Sequence, residues 1–265
     1  MAHEQDLAED AVLLRYMSFA KFAAMLSSRS LHLCRLDRLG DKDRFEGSLP
    51  RGQRERLVRE LIAAFEKDPP AELVEARKRW QGGGRTATWQ AEAQVRAYTL
   101  ALRSSTYVSC WSQGPESEAM WRLYSEGPEG VAMVTTLQKL RSSLADVDVL
   151  IGPVRYIDYQ RESLPGRDYV QQLVHKRIAF VHEREVRVLH RPQRQLHVPL
   201  PGEDPPACAP DIHIPWRPED ALERVVVSPF AADWYPDTVR AVVRAFAPRL
   251  AERVVLSELG ADPVY

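Results

Sequence analysis

Apolar runs of strand length recur along this chain, VLLRYM at 12–17, TYVSCWS at 106–112, GVAMVTT at 130–136 and RVVV at 224–227, with helical patterns between them in no fixed rhythm. A doubly wound parallel sheet needs regular alternation of strand and helix, so the irregular order points instead to an α+β fold with a mixed or antiparallel sheet. Ser18 is a candidate N-cap for a helix carrying Phe19, Phe22 and Leu26, and Leu31, Leu33 and Arg35 then alternate as a strand. The stretch 51–104 has helical periodicity broken by Pro69-Pro70 and Gly82-Gly83-Gly84, which reads as a helical insertion in one domain spanning 1–265. Residues 147–157 predict a further strand, 169–180 a helix, 237–246 a helix and 253–256 a closing strand, with an irregular proline-rich segment at 199–210.

A chain of 265 residues with 45% hydrophobic content can bury a substantial core. Its 36 Lys and Arg nearly cancel its 37 Asp and Glu, so no global field draws it to nucleic acid or to an anionic membrane. Only a local basic patch would bring nucleic acid to it. The 3 cysteines, Cys34, Cys110 and Cys208, are widely spaced and form no CxxC pair, which argues against a disulfide framework or zinc ribbon and for a reducing cytoplasm. The polar, acidic opening MAHEQDLAED lacks the basic and apolar regions of a signal peptide.

The segment VHEREVRVLH at 181–190 reads as a strand on which Glu183, Glu185 and Arg187 share one face while Val186 and Val188 take the other. Neighbouring carboxylates on a sheet repel, so they require a solvated cleft or a cationic partner in front of them. An exposed edge strand with cross-strand salt bridges is the plainer reading of the segment alone.

Several chemistries are excluded by pattern. HEREV starts like HExxH but has Val186 in fifth place, on a strand where that motif needs a helix, and no metal is expected. Gly82-Gly83-Gly84 runs into Arg85-Thr86 without a P-loop frame, and no GxGxxG occurs. Cys110 within an apolar strand reads as core, and neither Ser109 nor Ser112 sits in a GxSxG elbow. The loop LDRLGDKDRFEGSLP at 36–50 is dense in turn residues, and its part from Asp37 to Gly47 is predicted to border a binding site, with Phe45-Glu46-Gly47 at its edge.

Four blocks taken together, LLRYMSFAKFAAMLSSRSLHLCRLDRLGD with FEG, YVSCWSQGPESEAMW, GVAMVTT and KRIAFVHEREVRV, resemble a bacterial family known as domain-of-unknown-function family 2971. More distantly the block order is similar to that of mono-ADP-ribosyltransferases: an Arg on the first strand, a Ser on a central strand and an ExE strand late in the chain. That resemblance implies an ADP-ribosyltransferase-like split sheet and NAD as substrate, with ADP-ribose passing to a macromolecular acceptor or to water. A toxin or phage-defence effector is the setting it implies. Arg15 would pair with the NAD pyrophosphate, Ser109 would buttress the nicotinamide pocket, and Trp111 and Trp121 would wall it. Glu185 would stabilise the oxocarbenium-like state, and Glu183 would orient or deprotonate the acceptor. The sequence departs from the family's STS tripeptide, having SCWS instead, and Trp111, Trp121 and Tyr124 read first as helix-on-strand packing.

Two other classes fit the same residues. One is a non-enzymatic ligand-sensing or interaction module. The other is a nuclease-like enzyme holding Mg²⁺ through Asp41, Asp43, Glu46, Glu183 and Glu185. An Arg15 that faces Glu185 across a pocket favours NAD, whereas clustered carboxylates without the Arg favour a metal.

Overall fold

The structure, a computed structural model, describes residues 7–41, 43–68, 87–165, 170–192, 196–198 and 208–261. The Pro-Pro and Gly-Gly-Gly breaks of the helical stretch, most of the proline-rich segment, Tyr169 and the side chain of Asp41 lie outside the described residues.

Strand β1 (Val12–Ser18) leads through helix α1 (Phe19–Ser28) to β2 (Ser30–Arg35). Ser18 is the α1 N-cap by position, in extended conformation, although its hydroxyl makes no capping bond. A 3₁₀ turn and loop follow. Helices α2 (Arg51–Lys67) and α3 (Ala87–Ser105) then pack on each other through Val58, Phe65, Ala91 and Val95. Next come β3 (Tyr107–Gln113), α4 (Glu118–Tyr124), β4 (Gly130–Thr136), α5 (Leu137–Ser143), β5 (Val149–Pro153) and β6 (Arg155–Ile157). The remainder is α6 (Val170–Leu173), β7 (His175–Arg177), β8 (Glu185–His190), β9 (Asp211–Pro215), α7 (Pro218–Ala221), β10 (Arg224–Val227), α8 (Tyr235–Phe246) and β11 (Val254–Leu256).

Nine strands form one open mixed sheet, so the chain is α+β, with β10 and β11 parallel and the other pairings antiparallel. Strand alternation sorts its two faces. Leu13 and Met17 of β1, Val131 and Met133 of β4, and Val186 and Val188 of β8 join the main core under α1 and α8. Leu14, Tyr16, Ala132 and Val134 face the opposite way, against Met120 and Trp121 of α4.

The register creates a gap. Strand β8 pairs with β3 from Tyr107 to Ser112, occupying one edge. The other edge is shared: β1 pairs only at Ser112 and Gln113, and β2 only at Tyr107 and Val108. Between these two short contacts the middle of β3 has no strand beside it, and β1, α1 and β2 form a wedge whose interior is the cleft described below.

Four sequence readings are corrected. Residues 181–190 are not one strand: Ile178–Glu183 is a 3₁₀ turn, Arg184 is left-handed at φ 45°, and β8 begins at Glu185. Nor is β8 an edge strand, since it lies between β3 and β5. The helix expected over 169–180 is one turn, α6, followed by β7, which pairs in parallel with β6. The strand expected at 147–157 breaks after Pro153, which has no N–H for a ladder. Strand β9, laid along β2, was not anticipated. Among the described residues no helix is long and apolar enough to cross a membrane.

Candidate functional site

The cleft in the wedge has a volume of about 310 Å³, and its walls include Arg15, His32, Cys110, Lys176, Glu183 and Glu185. Arg15 opposes Met133 in the β1–β4 ladder and reaches into the gap, where Nη2 donates to the His32 carbonyl at 3.1 Å. Burial lowers its pKa from the ordinary arginine value, but an arginine so shifted still carries its charge at neutral pH. The cleft therefore has one cationic wall.

Another wall is a buried ion network. Arg187, fully buried on β8, donates from Nε to Glu185 Oε1 at 2.8 Å and from Nη2 to Glu185 Oε2 at 3.0 Å, a bidentate clamp. Its Nη1 takes the Leu173 carbonyl at 2.6 Å. Lys176 on β7 bridges the two glutamates, bonding Glu183 directly and Glu185 at 3.3 Å. Tyr124 Oη donates to Glu183 Oε1 at 2.7 Å.

The left-handed Arg184 is what brings both carboxylates to one ammonium. It reverses the backbone between the 3₁₀ turn and β8, so Glu183 and Glu185 converge on Lys176 from different elements. Such a conformation costs a non-glycine residue roughly 1–2 kcal/mol, and the shared cation offsets it.

Glu46 enters from the loop after β2. Its oxygens stand 2.7 Å from Arg187 and 3.6 Å from Lys176 without hydrogen-bond geometry to either. Gly47, at φ +63°, allows the turn that delivers it, because a Cβ there would meet Leu36 at 2.9 Å. Asp43 pairs with Arg177 at 2.6 Å, and Arg177 lies over the half-exposed Phe45 ring. The loop thus borders the cleft through Leu39, Asp43 and Glu46.

Electrostatics divides the carboxyls. Burial pushes Glu185 up, but Arg187 and Lys176 outweigh it and hold the group at about 2. Burial, reinforced by Glu185, raises Glu46 despite the opposing Arg187. Lys176 is held above its ordinary value because Glu185, Glu46 and Glu183 outweigh its desolvation. Burial and the adjacent Glu183 push the Tyr124 phenol up, so it stays a neutral donor, and burial with Glu185 keeps Cys110 a thiol. Glu185 is a fixed anion, while Glu46 is the cleft carboxyl best placed to hold a proton.

No family model, curated protein or solved structure matches this chain. The cleft must be read from its own chemistry.

Of the residues singled out by sequence, Arg15, Glu183 and Glu185 line one cleft, with Trp111 at its floor. Ser109 and Trp121 do not line it. Ser109 is buried on the core face of β3, where its Oγ accepts from Trp111 Nε1 at 3.1 Å. Trp121 is fully buried, edge-on to Tyr16 with ring centroids 4.9 Å apart, and its indole donates to Glu116. Both are packing residues because their strand face or helix face points into core.

Sequence reasoning missed Lys176, Tyr124 and His32. Lys176 was hidden by the expected helix, and the other two gain meaning only from tertiary contacts. Of the carboxylates of the Mg²⁺ reading, Asp43 is paired with Arg177, and Glu46, Glu183 and Glu185 are paired with Lys176 and Arg187, while the side chain of Asp41 lies outside the described residues.

Proposed function

We propose that the cleft binds NAD and that the protein cleaves its nicotinamide–ribose bond, passing ADP-ribose to a macromolecular acceptor or to water. The observation that carries this reading is the placement of Arg15 and Glu185 on one cleft in the split of the sheet. A half-buried guanidinium on the cleft wall suits a pyrophosphate. Glu185, ionised at every physiological pH, suits stabilisation of a cationic ribosyl transition state rather than proton transfer. Glu183, held by Tyr124 and Lys176, would orient the acceptor.

A second reading is favoured by one feature. Both oxygens of Glu185 are already hydrogen-bonded by Arg187, and Lys176 adds a contact to one of them. A carboxylate so fully engaged has little negative potential to offer a substrate, which fits a cleft that binds a nucleotide without turning it over.

Labelled NAD separates the two. Wild type should bind it in a calorimeter, lose binding on Arg15→Ala, and release nicotinamide at a rate that Glu185→Gln lowers by roughly two to three orders of magnitude, with thermal melts run beside the assay. Binding that depends on Arg15 without any release selects the second reading. Neither binding nor release removes NAD from the account.

A further inference from the structure

Outside the acidic wall, one group of side chains among the described residues has donor atoms arranged for a metal: His32, Asp211 and His213, whose ligand atoms all lie within 4.8 Å of one another. They come together through the β2–β9 ladder, where His32 is directly opposite His213 and Asp211 lies two residues along on the same face of β9. The imidazole centroids are 5.2 Å apart, and His213 Nε2 is 4.0 Å from Asp211 Oδ1.

We propose that these three residues bind a divalent transition-metal cation, zinc above all. Two imidazoles and a carboxylate are a donor set for zinc and its neighbours and not for Mg²⁺ or Ca²⁺, which prefer all-oxygen shells. Around a tetrahedral zinc with bonds of about 2.1 Å the donors stand about 3.4 Å apart. The present separations must contract by about 1 Å, which rotation of the half-exposed His213 and Asp211 side chains supplies. The outer shell is already built: His213 Nδ1 is 3.1 Å from Ser30 Oγ, and Ser30 is 2.6 Å from Ser28 Oγ. With Nδ1–H donating to Ser30, the lone pair of Nε2 faces Asp211, the arrangement by which a second shell fixes the ligating tautomer.

Three protein ligands leave one position open. The site adjoins the cleft, because His32 is among the residues that line it and its carbonyl holds Arg15. The cation would also clamp β9, which has no strand on its outer side among the described residues, onto β2.

The test uses tag-free, full-length protein stripped with chelator and then titrated with Zn²⁺ in a calorimeter and with Co²⁺ in a spectrophotometer. Expected results are one equivalent of Zn²⁺ per chain, tetrahedral Co²⁺ bands in the visible, no uptake of Mg²⁺, and a rise in melting temperature with metal. His213→Ala and Asp211→Asn should each weaken Zn²⁺ binding at least tenfold, and Ser30→Ala about tenfold. His190→Ala, a histidine elsewhere on the surface, should change nothing. The metal-free melts of these variants should match wild type, and Asp211→Asn decides the matter if His213→Ala folds poorly. Absence of Zn²⁺ uptake by wild type, or uptake unaltered in both His213→Ala and Asp211→Asn, would overturn the site.

Discussion

Replacing Arg187 with Met probes the ion network most directly. Wild type buries three carboxylates, Glu46, Glu183 and Glu185, against two cations, Lys176 and Arg187. Arg187→Met leaves Lys176 alone with all three and strips the Leu173 carbonyl of its donor. Removing one partner of a buried pair costs roughly 3–5 kcal/mol, and the orphaned carbonyl adds about 1 kcal/mol or more. Against a total stability on the order of 5–15 kcal/mol this is a large fraction. Urea denaturation at pH 7.5 should show it as a fall in midpoint. The loss should shrink as pH falls, because Glu46, raised by burial and by Glu185, takes up a proton more readily than an ordinary carboxyl and so relieves the repulsion. Adding Glu185→Leu to Arg187→Met restores the charge balance of the cluster, so the double variant should be more stable than the single one. A single variant within about 1 kcal/mol of wild type, or a double variant less stable than the single, would refute the reasoning.

Acid should act through Glu185. Held at about 2 against an ordinary 4.5, it contributes roughly 3 kcal/mol at neutral pH, present above pH 4.5 and lost as pH falls towards 2. Glu46, being raised, works in the opposite sense, its contribution present below its ordinary value and lost as pH rises. Stability of Glu185→Gln should therefore vary less than wild type between pH 4.5 and 2 in urea titrations, and equal slopes would count against the clamp. Ser109→Ala should cost about 1–3 kcal/mol by orphaning the Trp111 indole N–H, while calorimetric NAD affinity stays within about twofold. A loss of affinity without a loss of stability would return Ser109 to the cleft. Arg184→Gly should raise the melting temperature by relieving the left-handed strain, worth up to about 1 kcal/mol, and a lower melting temperature would show that the Arg184 side chain outweighs its backbone cost.

Much of the fold was legible because burial was written locally. The strands at 130–136 and 224–227 fall on β4 and β10 to the residue, since both are apolar runs with no competing signal. The paired glutamates were legible as neighbouring carboxylates in a segment that reads as strand, whereas Arg15 was singled out by the resemblance in block order. Their partners were not: Lys176 stood in a segment whose helical pattern was overridden by pairing with β6. The Arg184 reversal has no glycine to announce it. Strand β9 follows a proline-rich stretch and is half-exposed, so neither it nor the His32–His213 pairing showed in the periodicity. Ser109 and Trp121 were placed in the site by the resemblance, which carries over block order but not which face of β3 or of α4 meets the cleft.

The wedge also has a history within each round of synthesis. The strand that carries Arg15 is made before β4, the partner of its long ladder, where Arg15 meets Met133, and β4 in turn leans on β10. The second strand of the wedge pairs briefly with β3, but its longer ladder waits for β9, where His32 finds His213. Both apolar strands keep an edge unpaired through that interval, the circumstance in which nascent chains recruit chaperones or pair with one another. Expression of fragments ending before Asp211 should for this reason yield aggregate, because the outer edge of β2 stays open without β9.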